Sequence, residues 1–192
     1  VIAINAVEPI RSLSKIKEIE NYLRSEESPR NYLLFVLGIN FALRISDLLS
    51  LKVKDARKED SAVRQSLYLR ESKTGKEKKI VINEAARMAL EYYFSVVDAK
   101  QEDWLFPSES FDCAINRAWA WKLIQRWVRK VGLEGHYGSH SLRKSFGYHA
   151  RLQGVSIELL QHKFNHSSPE VARRYIGITE DEIASIEQKI NL

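Results

Sequence analysis

The chain reads as a mostly α fold with a small antiparallel β-sheet, an α+β class. Three observations predict this. Apolar residues recur at helical spacing behind Ser, Asn and Thr capping residues along most of the 192 residues. One stretch, Ser72-Lys73-Thr74-Gly75-Lys76, separates two strand-like segments across a Thr-Gly turn signal. No apolar run reaches the roughly 18 residues of a membrane span, so no membrane partner is expected.

Composition bounds the rest. With 44% hydrophobic residues the chain can bury one sizeable core. A net charge of +5 suits an anionic partner, although a solvated face explains such an excess equally well. The single Cys113 excludes an intrachain disulfide framework and fits a reducing, cytoplasmic setting. The opening Val1-Ile2-Ala3-Ile4, without an initiator Met, reads as part of a larger protein.

Residues 1–12 are an irregular lead-in, and residues 13–192 form one domain. Ser12 or Ser14 caps a first helix with Ile16, Ile19 and Leu23 on one face. Ser28-Pro29 opens a second, apolar over most of its circumference and therefore buried. A short helix over Leu43–Leu51 places Arg44 and Asp47 on one face, able to pair. Leu51–Asp55 alternates as a strand edge would. Strands are expected at Ser66–Glu71 and Lys79–Ile82, with Lys73 near the hairpin tip. Read alone, Lys73 is an exposed lysine that discourages edge pairing.

Asn83 caps the next helix. A long helix over about residues 113–131 carries the row Ile115, Trp119, Leu123, Trp127 and Val131, read as core. Trp119, Trp121 and Trp127 are assigned to core or interface. The other side of this helix shows Lys122, Gln125 and Arg129, an edge that could face phosphates. After Gly132 and Gly135, Ser139 caps a helix running to about Gln153, with His140 and Arg143 in its first turn, where free N–H groups favour an anion. Ser156–Phe164 is a short helix. A capping box of Ser167 and Glu170 opens another, which Tyr175 closes. Thr179-Glu180-Asp181-Glu182 opens a last amphipathic helix, 179–192, whose Ile183, Ile186 and Ile190 must dock on this domain or a neighbour's.

Arg44, Lys73, His140, Arg143, His166 and Tyr175 together suit one chemistry. Two arginines grip phosphate oxygens bidentately. A tyrosine hydroxyl can attack the phosphorus, a histidine can manage the phenol proton, and a lysine can protonate the leaving alkoxide. No metal or other cofactor is then required. His162 and His166 are four apart, but no third ligand of the right type is nearby.

Spacing alone does not bring these residues together. The motifs Ala42-Leu43-Arg44-Ile45-Ser46-Asp47-Leu48-Leu49-Ser50-Leu51, Ser72-Lys73-Thr74-Gly75-Lys76, His140-Ser141-Leu142-Arg143 and His166-Ser167-Ser168, with Tyr175 nine residues after His166, resemble the tyrosine recombinase (phage integrase) family from about residue 14 onward. The resemblance implies that family's catalytic-domain fold and DNA strand exchange through a 3′-phosphotyrosyl link made by Tyr175. It implies that Arg44 and Arg143 clamp the scissile phosphate, Lys73 is the general acid, His140 works at the tyrosine proton and His166 donates to the phosphate. Asp47 would brace the site, while Lys122, Arg129, Lys144, Arg173 and Arg174 would touch DNA. The expected partners are double-stranded DNA and further copies of the chain, as a tetramer on DNA with the last helix possibly exchanged. A bacterial or phage-encoded, nucleoid-associated protein of a phage or mobile element is implied.

Three departures have consequences. Asp47 stands where Glu is usual and, being shorter, is expected to reach a different partner. Phe164-Asn165 replaces Leu-Gly, and Asn is expected to keep the positive-φ turn. The family's separate N-terminal DNA-binding domain is missing, so residues 1–12 read as its linker. The capped segment around Tyr175, ending at Gly177, is expected to move, bringing the hydroxyl into place only with DNA and a neighbouring protomer. Two other classes fit part of the pattern. One is a non-catalytic helix-turn-helix module built from Gly154–Tyr175. The other is a type IB topoisomerase-like enzyme that relaxes supercoils.

Overall fold

The computed structural model describes residues 7–110 and 112–177. The expected last helix, 179–192, lies outside the described residues. Those described form nine helices and one hairpin: α1 (Leu13–Ser25), α2 (Pro29–Phe41), α3 (Ile45–Leu49), α4 (Val53–Ala56), β1 (Ser66–Arg70), β2 (Glu77–Val81), α5 (Glu84–Val96), α6 (Arg117–Lys130), α7 (Ser139–Leu152), α8 (Ile157–Phe164) and α9 (Pro169–Ile176). None of these helices is long and apolar enough to cross a membrane.

Helix α2 is the central post, packed against α1, α5 and α7. Leu33, Leu34, Phe35, Val36 and Leu37 follow one another and are all buried, so this helix has no solvent face along that run. Each such side chain contributes about 1.5–3 kcal/mol of transfer free energy, which makes α2 the anchor. Gly38 permits the α2–α7 approach, since a Cβ there would stand 2.5 Å from Leu142 Cδ1. Ser12, Asn83 and Ser156 cap their helices through Lys15, Ala86 and Leu159 N–H groups.

Two apolar cores result. The larger spans α1 to α7 and the hairpin. The smaller comprises Ala42, Ile157, Leu160, Phe164, Ala172 and Ile176. It binds α8 and α9 to α7, where Gly147 leaves no room for a side chain: a Cβ would lie 2.4 Å from Ile176 Cγ2 and 2.8 Å from the Phe164 ring. Ala42, although its neighbours Phe41 and Leu43 belong to the larger core, packs into the smaller one. It does so at φ 55°, a left-handed conformation that costs an L-residue roughly 1–2 kcal/mol.

Several sequence expectations need correction. Leu51–Asp55 is strand-like only at Lys52, which makes an isolated antiparallel bridge to Trp104. Val53–Ala56 is a single helical turn, with Asp55 Oδ2 accepting Lys52 N–H at 2.8 Å and Val53 and Ala56 buried three apart. Strand β2 begins at Glu77, because its register extends to the Arg70↔Glu77 pair. Helix α6 begins at Arg117 behind the Asn116 cap, so Ile115 precedes it. The buried stripe is Ala120, Leu123, Ile124, Trp127 and Val128. Trp119, expected in the core, is 47% exposed, as is Trp121. The rest of the expected row, Ile115, Leu123, Trp127 and Val131, is buried, so Trp119 alone leaves the core. The cap of α7 is Gly138, whose N–H donates to Ser141 Oγ at 3.0 Å, rather than Ser139. Ser168, rather than Ser167, caps α9.

Candidate active site

Arg44 follows the left-handed Ala42 turn and sits at the N-terminal boundary of α3. Its Nη1 lies 3.2 Å from Glu71 Oε2 and 4.0 Å from Asp47 Oδ2. The expected Arg44–Asp47 pair is therefore the weaker of the two. Asp47 instead accepts from the Ser72 backbone N–H at 3.0 Å and the Ser72 hydroxyl at 2.6 Å through Oδ1. The shorter acid does reach a different partner, and by it α3 fastens the hairpin.

Glu71 was not anticipated. It is 3% exposed and holds Arg44, Lys78 at 3.4 Å and the Thr74 hydroxyl at 2.8 Å. Burial alone would raise its pKa, but the Thr74 hydroxyl, Lys78 and Arg44 hold it down to about 2. Lys78 also donates to Lys163 O at 2.6 Å, linking β2 to the end of α8. A signal for both was present. The alternation that turns Leu67 and Ile80 inward also turns Glu71 and Lys78 inward.

Arg143, in the first turn of α7, is 2% exposed and donates to Phe164 O at 2.7 Å through Nη2. The end of α8 thus carries Arg143 on one carbonyl and Lys78 on the preceding one, at the helix terminus that favours cations. Asn165 follows at φ 53°, the positive-φ turn expected of it, and leads into His166. Arg143 Nη1 and His166 Nδ1 are buried without a hydrogen-bond partner, and Arg44 Nη1 has only its ion pair with Glu71. Leaving such atoms unpaired costs about 1–3 kcal/mol each, and the oxygens of an anion supply acceptors.

His166 is held neutral. Desolvation, then Arg143, Arg44 and Lys73, lower its pKa to about 4. Its ring stands edge-on to Tyr175, centroids 4.7 Å apart. The Tyr175 hydroxyl lies 3.3 Å from His140 Nδ1. Desolvation raises the Tyr175 pKa against the opposing pull of Arg143 and Arg44, and desolvation with the Arg143, Lys144 and Arg44 charges lowers that of His140. A protonated phenol therefore faces a neutral imidazole able to accept its proton. The Tyr175 ring packs against those of Phe164 and His166.

Lys73 is exposed on the hairpin turn. Its charge is felt at His166, but no hydrogen bond joins it to the other groups among the described residues. Lys163 lies closer in, with a pKa lowered to about 8 by burial and by the charges of Lys78 and Arg143.

Of the surface cations, Lys122 and Arg129 line an open concavity with Arg126 and Lys130, beside Trp121. Arg173 and Arg174 are exposed on α9. Lys144 is not on the surface: it is 7% exposed, and its ammonium donates to Val7 O at 2.8 Å, because the lead-in segment covers this side of α7. His149 makes a 2.9 Å bond between Nε2 and Ile10 O.

Residues 12–182 match the sequence model of the phage integrase family. The chain is 44% identical over 175 residues to a probable integrase/recombinase, YoeC, of Bacillus subtilis, covering 91% of this chain and 92% of the relative. It is 24% identical to a tyrosine recombinase of Pseudothermotoga lettingae and 25% identical to tyrosine recombinase XerA of Pyrococcus horikoshii. The matches cover 93% and 91% of this chain, but only 63% and 60% of those two relatives. In three dimensions a XerA recombinase crystal structure superposes with a TM-score of 0.74 at 19% identity, covering 95% of this chain and 63% of that one. A lambda integrase dimer bound to a core site superposes at 0.67 and 18% identity, covering 91% and 49%.

Proposed function

The chain belongs to the phage integrase family, and on that premise we propose that it is the catalytic domain of a site-specific DNA recombinase that cleaves and rejoins strands through Tyr175. The observation that carries this reading is the Tyr175 hydroxyl 3.3 Å from His140 Nδ1, beside Arg143, whose buried Nη1 has no protein acceptor, and Arg44, whose Nη1 is ion-paired with Glu71.

In the proposed reaction Arg44 and Arg143 bind the non-bridging oxygens of a scissile phosphate. The Tyr175 oxygen attacks phosphorus as its proton passes to His140. The bond to the 5′-oxygen breaks, and that oxygen takes a proton from Lys73. A 3′-phosphotyrosyl link and a free 5′-hydroxyl result, and attack by a 5′-hydroxyl reverses the steps without an external energy source. Uncatalysed phosphate ester cleavage is so slow that a barrier reduction of about 20 kcal/mol is needed. Each preorganised donor aimed at the developing charge contributes about 10²–10³ in rate. The exposed Lys73 reaches the leaving oxygen by movement of the hairpin, which Asp47 and Glu71 anchor at its base. Lys122, Arg129, Arg173 and Arg174 contact the DNA backbone. Integration or excision of a mobile element, by a tetramer on DNA that exchanges residues 179–192, is the biological setting proposed.

The helix-turn-helix reading of α8–α9 leaves the buried Arg44, Arg143 and Glu71 network without a task. The test is a nicked duplex library, randomised across the flanking arms, incubated with the full-length chain that carries this segment. An SDS-resistant adduct mapped to Tyr175 and absent in Tyr175→Phe is expected. Failure to form any adduct would overturn the mechanism. Relaxation of a supercoiled plasmid lacking any captured site would favour the topoisomerase reading instead.

A further inference from the structure

The segment before α1 is fixed to the site at several points. Ile10 N–H donates to the buried Ser145 Oγ at 2.7 Å, and His149 Nε2 bonds Ile10 O. Glu8 N–H donates to His136 O at 2.7 Å. These contacts hold residues 8–10 along α7. From that base the segment reaches Tyr175 twice. Val7 O accepts from the Lys144 ammonium, which stands 5.3 Å from the centroid of the Tyr175 ring. Arg11 Nη2 donates to Gly177 O at 3.3 Å, on the residue that caps the tyrosine's helix at φ 77°. Pro9 lies beside the same cap, 3.6 Å from where a Gly177 Cβ would stand.

We propose that residues 7–12 form a strap that completes the catalytic site, with Lys144 and Arg11 as positioning residues that hold Tyr175 against His140. Lys144 acts on the ring face and Arg11 on the helix end. An ammonium over an aromatic face attracts the ring, and the Val7 carbonyl fixes where that ammonium sits. Because Lys144 is 7% exposed, a wandering ammonium would lose water without gaining a partner. Desolvation accordingly lowers the Lys144 pKa, with the Glu8 charge opposing it. Arg11 holds the carbonyl of the capping Gly177, which opposes unwinding of the α9 end and with it a swing of the ring. The strap thus ties the start of the domain to its nucleophile.

The inference rests on Tyr175 being the attacking group, but its first test does not. DNA-free protein is nitrated with tetranitromethane, and the modification of each tyrosine is followed by mass spectrometry. Tyr68, 68% exposed, serves as the internal standard. Tyr175 is expected to react slowly in the parent chain and roughly tenfold faster, relative to Tyr68, in Lys144→Met and Arg11→Ala, the scale of losing one charge-assisted bond. Lys144→Arg should restore protection. Arg11 is exposed, so Arg11→Ala stays folded and decides the matter if Lys144→Met melts early. Unchanged Tyr175 nitration in Arg11→Ala and in folded Lys144→Met would overturn the strap. The second test is single-turnover adduct formation on the captured nicked duplex. Positioning predicts a slower adduct with DNA affinity unchanged and rescue by Lys144→Arg. A parallel loss of affinity and melting temperature, with the rate in the bound complex intact, would mean a structural role only. Raised nitration in the variants of a parent chain that forms no adduct would keep the strap and remove the recombinase reading.

Discussion

Arg44 Nη1 stands 3.2 Å from Glu71 Oε2, joining the entry to α3 with the end of β1 in a buried ion pair. The carboxyl pKa lies at about 2, below its ordinary 4.5. The unfolded chain therefore takes up this proton first as pH falls. The stabilisation by this carboxylate, which Thr74, Lys78 and Arg44 share, is complete above pH 4.5 and disappears as pH drops through about 2. Glu71→Gln should lose about 2–3 kcal/mol at neutral pH and flatten the stability profile between those two values. Urea denaturation at a series of pH values measures both. A profile unchanged from the parent's would mean that Glu71 is not the anchor of Arg44.

His166 titrates in the same sense, over a higher pH window. Its folded pKa is about 4, against an ordinary 6.5. Below pH 6.5 the unfolded chain binds the proton more readily, so the native state loses stability progressively until about pH 4. His166→Asn should remove that slope. In the parent, the imidazole signal in a proton–carbon NMR titration should show a midpoint near 4, and inorganic phosphate should move it upward by adding negative charge beside the ring.

Arg143 serves Phe164 O with one nitrogen and leaves another for an anion. A lysine has no planar fork to do both. Arg143→Lys should lower the rate of tyrosyl adduct formation by about 10²–10³ while DNA affinity, shared among many contacts, falls far less. Quench-flow on a nicked duplex reads the rate, and filter binding reads the affinity. Equal losses in the two would assign Arg143 to binding alone.

Gly147 and Gly38 offer a matched comparison. A methyl at 147 meets the rigid Phe164 ring at 2.8 Å and Ile176 at 2.4 Å, whereas one at 38 meets the movable end of Leu142 at 2.5 Å. Gly147→Ala should destabilise by about 1–3 kcal/mol and raise Tyr175 nitration by pushing α9 outward. Gly38→Ala should be milder and leave Tyr175 protected. Differential scanning fluorimetry and the nitration assay test both.

Much of this was legible beforehand where one residue carries the signal. Ser12 and Asn83 cap as expected, α2 is buried along its central run, and Asn165 adopts its positive φ. The six residues proposed for catalysis were collected by resemblance, and five of them do gather, Lys73 remaining out on its turn. What stayed hidden depends on tertiary context. Val53–Ala56 is too short for its period to separate a strand from a helical turn. Lys144 reads as a surface cation unless one knows that residue 7 returns to cover it. In α6 the core positions Leu123 and Trp127 were legible, but the exposure of Trp119 in its first turn was not.

Ala42 gives the two cores a common point. It lies between two residues of the large core, yet its methyl is embedded in the small one, and Arg44 departs two positions later. The backbone there is wound against its preference, so it has little slack in which to absorb a displacement. A rigid-body shift of α8–α9, which carry His166 and Tyr175 at their turn and end, therefore reaches the Arg44 turn within one contact. Nucleophile and clamp are geared together through a single methyl group, and neither can be reset without turning the other.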